Sequence, residues 1–343
     1  MLIVEAIKKI LDRQELTEDE ASEVMASIME GEVSPAQFGA LVTGLRMKGE
    51  SIDEVTGFAR AMRAKSLKVP TSRSQLVDTC GTGGDKLNTF NISTTAAFIV
   101  AGAGVAVAKH GNRAASSKCG SADVLEALGV NISLDTAQVG HLIDTVGIGF
   151  LFAAALHPAM KHAAAPRREI GVRTVFNILG PLTNPAGARY QVLGVFEEWG
   201  CELLAGALAK LGSERALVVH GLRGIDEMAT FGETHVSEVR NGRVTDWVFK
   251  PEDIGLTPCN PNEIVGGDAG YNADVFLQVL KGGAPRAREI ACLNAGAALF
   301  VSGRADSLQN GLALADETVT NGAALDVFEK YRDLSGSLKV ANG

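Results

Sequence analysis

The sequence has few cysteines and no long hydrophobic run. Its five cysteines form no CxxC pair and leave an odd count, which indicates reduced thiols in a cytosolic protein. The longest apolar stretch, 96–108, is interrupted by glycine and is too short to cross a bilayer. The N-terminal residues also lack the basic region and cleavage pattern of a secretory signal. We therefore expect a cytoplasmic protein that does not interact with membranes.

A surplus of basic charge is absent as well. The 343 residues include 32 Lys and Arg against 40 Asp and Glu, so the net charge is −8 and the pI is near 5.4. This balance argues against a broad nucleic-acid surface, and local basic loops in such a chain fit a small anionic substrate better. The six histidines do not have the spacing of a zinc enzyme. A chain of this length is expected to form two structural units.

The pattern of predicted elements changes near residue 70. Capping boxes that begin at Thr17 and Ser51, and a proline after Ser34, predict short helices with no strand between them. Residues 66–74 are the predicted linker. Strands and helices then alternate, with strands expected at 105–108, 148–152, 191–195 and 215–220 and a hairpin over 235–249. The pattern predicts an α/β fold with a mostly parallel central sheet and an added helical subdomain.

The stretch that organises the chain is the glycine-rich loop 78–85. Three glycines in four positions leave this backbone free to adopt positive φ and to approach a ligand closely. Ser93 or Thr94 is predicted to cap the following helix, so that its free N–H groups face the loop and form an anion site. The glycine spacing is neither a Walker A motif nor a dinucleotide fingerprint, and a tight turn without a ligand also fits it.

A second polar loop is predicted at 109–113, after the strand 105–108. It carries two positive charges, Lys109 and Arg113, beside Asn112. Loops at the carboxyl ends of neighbouring strands converge in an open α/β sheet, which is where such sheets bind ligands. A basic path rich in hydroxyl groups, suited to phosphate oxygens, continues along the chain. Its residues are Ser116, Ser117, Lys118 and Ser121.

Two charged pairs each have two interpretations. Asp226 and Glu227 follow a predicted buried strand, and their oxygens suit Mg²⁺ shared with a phosphate substrate, although adjacent carboxylates are also common on surfaces. Arg167 and Arg168 lie late in the predicted helix 158–170. Spacing alone favours a solvated basic face there, whereas a buried arginine would bind a carboxylate or phosphate through two hydrogen bonds.

Seven motifs, in one order, resemble those of the anthranilate phosphoribosyltransferases. They are residues 78–85, 91–94, 109–113, 120–123, 167–171, 176–185 and 224–227. The likeness extends from the N-terminal helices to 266–269 and so covers most of the chain. Lys86, Leu87 and Tyr271 depart from the usual pattern.

The resemblance implies an activity and a fold. Members of this family transfer the 5-phosphoribosyl group from 5-phosphoribosyl-1-diphosphate (PRPP) to the amine of anthranilate and release pyrophosphate, in tryptophan biosynthesis. The fold implied is the nucleoside-phosphorylase-like phosphoribosyltransferase type. Residues 1–70, joined by part of 165–187, would form the helical subdomain, and 71–343 the α/β domain that binds PRPP. Mg²⁺ is the implied cofactor.

The resemblance also implies which residues form the site. Those implied to bind the donor are Gly81, Gly84, Asp85, Thr89, Asn91, Ile92, Ser93, Thr94, Lys109, Ser117 and Ser121. Those implied to bind the metal are Ser93, Asp226 and Glu227. Asn112 and Arg167 would meet anthranilate, and the implied catalytic residues are Lys109, His110 and Arg167. The aromatic amine is neutral at pH 7, so a strong general base is not required.

The family habit implies a homodimer, and the first helix supports it. The opening helices carry more apolar surface than four short helices are expected to cover internally, so we predict that the helical domain forms a symmetric interface. The apolar residues concerned are Ile3, Ala6, Ile7, Ile10 and Leu11.

Three other functions stay open at this point. A pyrimidine nucleoside phosphorylase shares the architecture, but Arg167 and residues 177–185 favour anthranilate. A non-catalytic relative that binds nucleic acid would be expected to be basic, and this chain is acidic. A purely structural protein would not need Lys109 and Asn112 beside a glycine loop.

Overall fold

A computed structural model describes residues 1–84, 87–114 and 118–338 of the chain. Four helices come first: α1 Ile3–Leu11, α2 Glu18–Glu30, α3 Pro35–Lys48 and α4 Ile52–Lys65. The strands are β1 Val77–Gly81, β2 Val107–Gly111, β3 Ile148–Phe152, β4 Tyr190–Gly194, β5 Arg215–Gly221, β6 Thr234–Arg240 and β7 Arg243–Phe249. The remaining helices are α5 Ile92–Gly102, α6 Ser121–Ala127, α7 Thr136–Val146, α8 Ala153–Leu156, α9 Lys161–Ile170, α10 Phe176–Leu179, α11 Trp199–Lys210, α12 Ala269–Leu280, α13 Pro285–Val301, α14 Leu308–Thr320 and α15 Ala323–Ser337.

The first four helices begin where their capping residues predict. Thr17 accepts a hydrogen bond from the backbone N–H of Glu20, and the Glu20 carboxylate accepts one from the N–H of Thr17 at 2.9 Å. Gly57 lets α4 approach α2 closely, since a Cβ there would lie 2.2 Å from the carbonyl oxygen of Glu18. Local hydrogen bonding and close packing therefore agree, and the predicted N-terminal helices are confirmed.

The seven strands form one sheet in the order β3-β2-β1-β4-β5-β6-β7. The first five of these are parallel, and β6 and β7 are antiparallel neighbours at one edge. Asn241 and Gly242 join β6 to β7 with φ of 51° and 75°, as a tight hairpin turn requires. The strand order reverses between β1 and β4, so the crevice that such a reversal opens lies at their carboxyl ends.

Helices cover both faces of this sheet. The larger apolar core lies on one face and contains α5 and α13, with residues such as Phe98 and Leu293 fully buried. The second core joins the N-terminal helices to α10, α11 and the opposite face, and includes Phe58, Leu179 and Leu204. The apolar side chains of the first four helices and of one face of the sheet therefore belong to the same core.

Arg63 on α4 ties the two parts together through hydrogen bonds. Its side chain donates to the carbonyl oxygens of Leu182, at 2.6 Å, and Leu211, at 3.2 Å. Burial lowers the pKa of this guanidinium to about 10, which leaves it charged at neutral pH. In the described residues, no helix has both the length and the apolar character to span a bilayer.

The two predicted polar loops begin later than expected. Strands β1 and β2 continue through Gly81 and Gly111, so residues 78–80 and 109–110 belong to the sheet. Asp78 and Lys109 are compatible with a buried strand because the side chain of each finds a partner. The Asp78 carboxylate accepts the backbone N–H of His110 at 3.0 Å and a side-chain N–H of Asn184 at 2.8 Å. A buried polar network therefore occupies positions that suggested a loop.

Candidate active site

The predicted site residues lie around one cavity of about 350 Å³ at the carboxyl ends of β1 and β2 and beside the segment that follows β5. Its volume is in the range of small-molecule sites. The predicted residues that line it are Gly81, Gly84, Thr89, Asn91, Ile92, Ser93, Thr94, Lys109, His110, Asn112, Ser121, Arg167, Asp226 and Glu227. Asp85 and Ser117 lie outside the described residues. The structure therefore brings the cavity-lining residues together, whereas Lys118 on the predicted basic path and Arg168 do not line the cavity.

The glycine loop closes around Asp226. The backbone N–H of Gly83 donates to Asp226 Oδ2 at 2.8 Å. A Cβ at Gly81 would lie 2.3 Å from the same oxygen, and one at Gly194 would lie 1.5 Å from the Asp226 carbonyl oxygen. Burial raises the pKa of the Asp226 carboxyl, and the N–H of Gly83 and the charge of Arg173 oppose this rise. The glycines at these strand ends thus make room for a carboxylate.

Helix α5 points its N-terminus into the cavity, but the predicted cap is wrong. The helix begins at Ile92, its N-cap is Asn91, and Ser93 lies inside the first turn. The N–H of Ser93 donates to Glu227 Oε1 at 3.1 Å, across 134 residues of chain. A distant carboxylate therefore binds an N–H group that local sequence assigned to a serine or threonine cap.

Lys109 lies beneath the cavity and is only 3% exposed. Its ammonium group donates to the carbonyl oxygen of Thr79 and lies 3.4 Å from Ser93 Oγ. Burial lowers the pKa of Lys109, and the negative charges of Asp78 and Glu227 act in the opposite direction. Burial in turn raises the pKa of the Asp78 carboxyl to about 6, against the effects of Asn184 and Lys109. A cation buried between carboxylates is thus held next to the helix N-terminus.

His110 is buried against a second histidine, His157. Their ring centroids are 5.2 Å apart, and neither Nε2 atom has a hydrogen-bond partner among the described residues. Burial lowers the pKa of His110 to about 3 and that of His157 to about 4. Both imidazoles are consequently neutral at pH 7, so His110 contributes no positive charge to the cavity.

Arg167 reaches the cavity from α9. Its guanidinium lies 5.3 Å from the ring centroid of Phe176, and partial burial lowers its pKa. In the part of the chain that the structure describes, Arg167 makes no ion pair within 4 Å, whereas Arg168 does not line the cavity at all. Of the two arginines, only Arg167 is thus placed to meet an anion in this cavity.

Arg113 does not supply the free positive charge that its position suggested. Its guanidinium pairs with Asp123 at 3.1 Å and with Glu126 at 2.5 Å, both contributed by α6. The residue lies at the edge of the cavity, but these carboxylates balance its charge. Of the two predicted cations, only Lys109 stays directed toward the helix N-terminus.

Cys119 and Arg173 are among the cavity side chains that sequence reasoning missed. The Cys119 thiol lies 3.4 Å from Asn91 Oδ1, which also accepts an N–H of Asn272 at 2.9 Å. Arg173 lies between the motifs 167–171 and 176–185, and this position was the available signal for it. Both residues are cavity-lining without belonging to a motif that indicates chemistry.

Curated relatives match the chain over nearly its whole length. An anthranilate phosphoribosyltransferase of Alkaliphilus metalliredigens is 50% identical over 339 residues, which cover 99% of this chain and 100% of the relative. One from Anaeromyxobacter sp. strain K is 53% identical, with 99% of each chain covered.

Solved structures agree with these matches. The anthranilate phosphoribosyltransferase of Thermus thermophilus superposes with a TM-score of 0.90 and 45% identity, over 96% of this chain and 99% of the other. The Saccharomyces cerevisiae enzyme in complex with PRPP and Mg has a TM-score of 0.89 and 25% identity, over 98% of both chains.

Residues 4–66 match the "Glycosyl transferase family, helical bundle domain", and residues 73–325 match the "Glycosyl transferase family, a/b domain". The fold and the cavity thus define a glycosyltransferase built from a helical bundle and an α/β part. With 50% or more identity over full-length relatives, the chain belongs to the anthranilate phosphoribosyltransferase family. The resemblance and the fold class predicted from the sequence are confirmed.

Proposed function

We infer from family membership and from the cavity that this enzyme transfers the 5-phosphoribosyl group of PRPP to the amine of anthranilate and releases pyrophosphate. The observation that carries this conclusion is the arrangement of one cavity with two ends. The glycine loop, the N-terminus of α5 and Lys109 line this cavity together with Arg167, and we assign the first three to one end and Arg167 to the other.

The first end suits the diphosphate of the donor. The N-terminus of α5 directs the positive end of the helix dipole into the cavity, and Lys109 supplies a fixed positive charge. Such a combination favours a group with several negative oxygens. The side chains assigned to the donor here are those of Thr89, Asn91, Ser93, Thr94 and Ser121.

The residues around Ser93 fit a magnesium ion. In the described residues, no group of three or more His, Cys, Asp or Glu is close enough to hold a metal. Asp226, Glu227 and the Ser93 hydroxyl offer hard oxygen donors, and Mg²⁺ usually completes its shell with water and substrate phosphates. The Asp226 carboxylate lies so close to Gly81 that a Cβ there would collide with Asp226 Oδ2. This close fit supports a role for the carboxylate beyond folding. When bound, the ion would neutralise charge that develops on the leaving diphosphate.

The second end suits the acceptor. Arg167 has no carboxylate partner within 4 Å in the described part of the chain, and its planar guanidinium matches the carboxylate of anthranilate. Asn112 also lines the cavity and offers an amide for a further contact. We assign these two residues to anthranilate.

The chemistry needs stabilisation of charge more than proton transfer. Positive charge builds on the ribose and negative charge on the departing diphosphate, which we assign to the cavity end that holds Lys109 and the N-terminus of α5. The amine is neutral at pH 7 and attacks once it is held against the donor. His110, neutral because burial lowers its pKa to about 3, can take part only as an uncharged hydrogen-bonding group.

We propose that residues 1–70, with part of 165–187, form one unit and 71–343 the other. Packing supports the inclusion of the second segment: the ring centroid of Phe176 lies 5.2 Å from that of Phe38 on α3, and Ala163 on α9 is fully buried in the same core. Closure of such a unit over the donor would exclude water.

We also propose a homodimer that uses α1 and α3. Ala6 and Ile10, which we expected in this surface, are covered within the chain at 0% and 3% exposure, because α1 packs on α3. Leu2, Leu11 and Met47 are 71%, 70% and 74% exposed and are the residues assigned to the interface. Sedimentation at micromolar concentration should give a dimer, and a monomer would contradict the proposal. The cytoplasmic location stays a prediction.

The loss of anthranilate fluorescence tests the reaction directly. We expect a loss that requires both PRPP and Mg²⁺, with pyrophosphate released in equal amount. No loss with all components present would refute the activity. A parallel assay with a pyrimidine nucleoside and orthophosphate should show no cleavage.

A further inference from the structure

Arg173 makes an unusual set of contacts at the donor end of the cavity. Its two terminal nitrogens lie 3.3 and 3.2 Å from the carbonyl oxygen of Gly83, to which they donate. Its guanidinium carbon lies 3.8 Å from the ring centroid of Phe196, just after β4. Among the described residues, Arg173 has no carboxylate within ion-pair distance. This arginine is therefore held by a ring and a backbone carbonyl.

Both polar groups of Gly83 are engaged as a result. Its carbonyl accepts from Arg173, and its N–H donates to Asp226 Oδ2 at 2.8 Å. Gly83 and Gly84 have φ of 68° and 86°, which only glycine adopts without strain. A Cβ at Gly84 would lie 1.2 Å from an Arg173 nitrogen, so the backbone and the guanidinium are in close contact.

Arg173 also connects this loop to the acceptor side. It lies six residues beyond Arg167, in the segment between α9 and α10, while the loop that it contacts follows β1. A glycine-rich loop has many conformations available, and fixing it before the ligand arrives removes part of the entropy cost of binding.

We propose that Arg173, stacked on Phe196, is a positioning residue that holds the Gly83–Gly84 turn in its ligand-binding conformation for PRPP. This inference rests on the proposed donor site. It assigns to Arg173 an effect on donor affinity that acts through the loop backbone.

Two measurements on Arg173→Ala test the proposal. In the free protein, amide hydrogen exchange of Gly83 should become faster, because the loop loses its anchor. In turnover, the KM for PRPP should rise about tenfold, as expected for the loss of one charge-assisted hydrogen bond of moderate length. The kcat and the KM for anthranilate should stay within about twofold of wild type. Unchanged exchange, or an equal rise in both KM values, would overturn the proposal.

Conservative variants separate positioning from charge. Arg173→Lys keeps the charge but loses the planar fork, so it should restore the PRPP KM only in part, and full restoration would contradict the proposal. Phe196→Leu removes the aromatic face and should shift the PRPP KM in the same direction, and a wild-type value would contradict the role of the stack.

Arg215 offers a matched control far from the cavity. Its guanidinium lies 3.7 Å from the ring centroid of Phe300, and it also pairs with Glu238 at 2.8 Å. Arg215→Ala should lower the melting temperature but leave loop exchange and the PRPP KM unchanged. A rise of the PRPP KM in this control would show that a general loss of stability explains the Arg173 result and would overturn the inference. The hydrogen-exchange measurement needs no substrate. If the wild-type enzyme showed no turnover, the proposed function would be refuted, and the exchange rate of Gly83 would still test whether Arg173 holds the loop.

Discussion

The Glu227 carboxylate accepts the backbone N–H of Ser93 at 3.1 Å and so joins the segment after β5 to the N-terminus of α5. Lys109 Nζ lies 3.4 Å from the hydroxyl of the same serine. A carboxylate, a hydroxyl, an ammonium group and a helix N-terminus therefore meet at one position. This is the combination that a metal–diphosphate group needs, and it depends on three separate parts of the chain.

Neutralising the two carboxylates should abolish this function without unfolding the protein. We expect Asp226→Asn combined with Glu227→Gln to collapse turnover and to shift the Mg²⁺ dependence of any residual activity to higher concentration. Glu233→Gln is the control, because Glu233 is exposed and pairs with Lys250 at the surface. A Mg²⁺ titration of turnover, with circular dichroism to check the fold, makes the measurement. An unaltered Mg²⁺ dependence in the folded double variant would refute the metal assignment.

Glu54 is predicted to stabilise the N-terminal helices strongly. It is 0% exposed and accepts hydrogen bonds from Lys48 at 2.9 Å and from the N–H of Leu16 at 3.0 Å. Glu54→Ala should lower the free energy of unfolding by about 3–5 kcal/mol, because it leaves a buried cation unpaired. Glu30→Ala, which breaks an exposed pair with Lys65, should cost at most about 1 kcal/mol. Urea denaturation of the two variants compares them, and equal losses would contradict the prediction.

His157 should make stability depend on pH. Its pKa is about 4 in the folded protein, compared with roughly 6.5 in an unfolded chain. Between these values the unfolded state binds a proton that the folded state does not, so the free energy of unfolding falls as the pH falls. This destabilisation by His157 is absent above the pKa of His157 in the unfolded chain, and it increases as the pH falls toward 4.

We expect His157→Gln to reduce the slope of unfolding free energy against pH by up to about 1.4 kcal/mol per pH unit. Urea denaturation between pH 7 and pH 4.5 gives the slope, and the exposed His141→Gln serves as the control. Equal slopes for His157→Gln and wild type would show that burial does not affect the protonation of His157.

The sequence predicted the elements well where the signal was local. The capping box at Thr17 and the turn at Asn241 and Gly242 each depend on residues a few positions apart, and the structure forms them as predicted. The alternation of strands and helices also identified the parallel sheet. Its strand order brings the glycine loop, Lys109 and Asp226 to one edge.

What the sequence could not predict depends on contacts between distant residues. Ser93 was a candidate helix cap, but it lies in the first turn of α5, where Glu227 accepts its N–H. Lys109 was predicted in a polar loop, but it lies in β2, where the Thr79 carbonyl accepts its hydrogen bond and the charges of Asp78 and Glu227 favour its charged form. Arg113 was predicted to face the ligand, but two carboxylates on α6 bind it instead. Each of these differences reflects a partner far away in the chain.

The central claim is that the cavity has a donor end at Lys109 and an acceptor end at Arg167. A charge-assisted hydrogen bond contributes roughly 1.5–3 kcal/mol, which corresponds to about a ten- to hundredfold change in binding. Each end can therefore be weakened without affecting the other. Arg168→Ala, one residue along α9 and outside the cavity, is the matched control for Arg167.

The most direct test measures both Michaelis constants for two variants, Arg167→Ala and Lys109→Ala, by loss of anthranilate fluorescence. Arg167→Ala should raise the KM for anthranilate by about ten- to hundredfold and leave that for PRPP nearly unchanged. Lys109→Ala should show the opposite pattern, and Arg168→Ala should change neither value. If Arg167→Ala weakens PRPP binding and spares anthranilate, Arg167 belongs to the phosphate site and the division of the cavity is wrong.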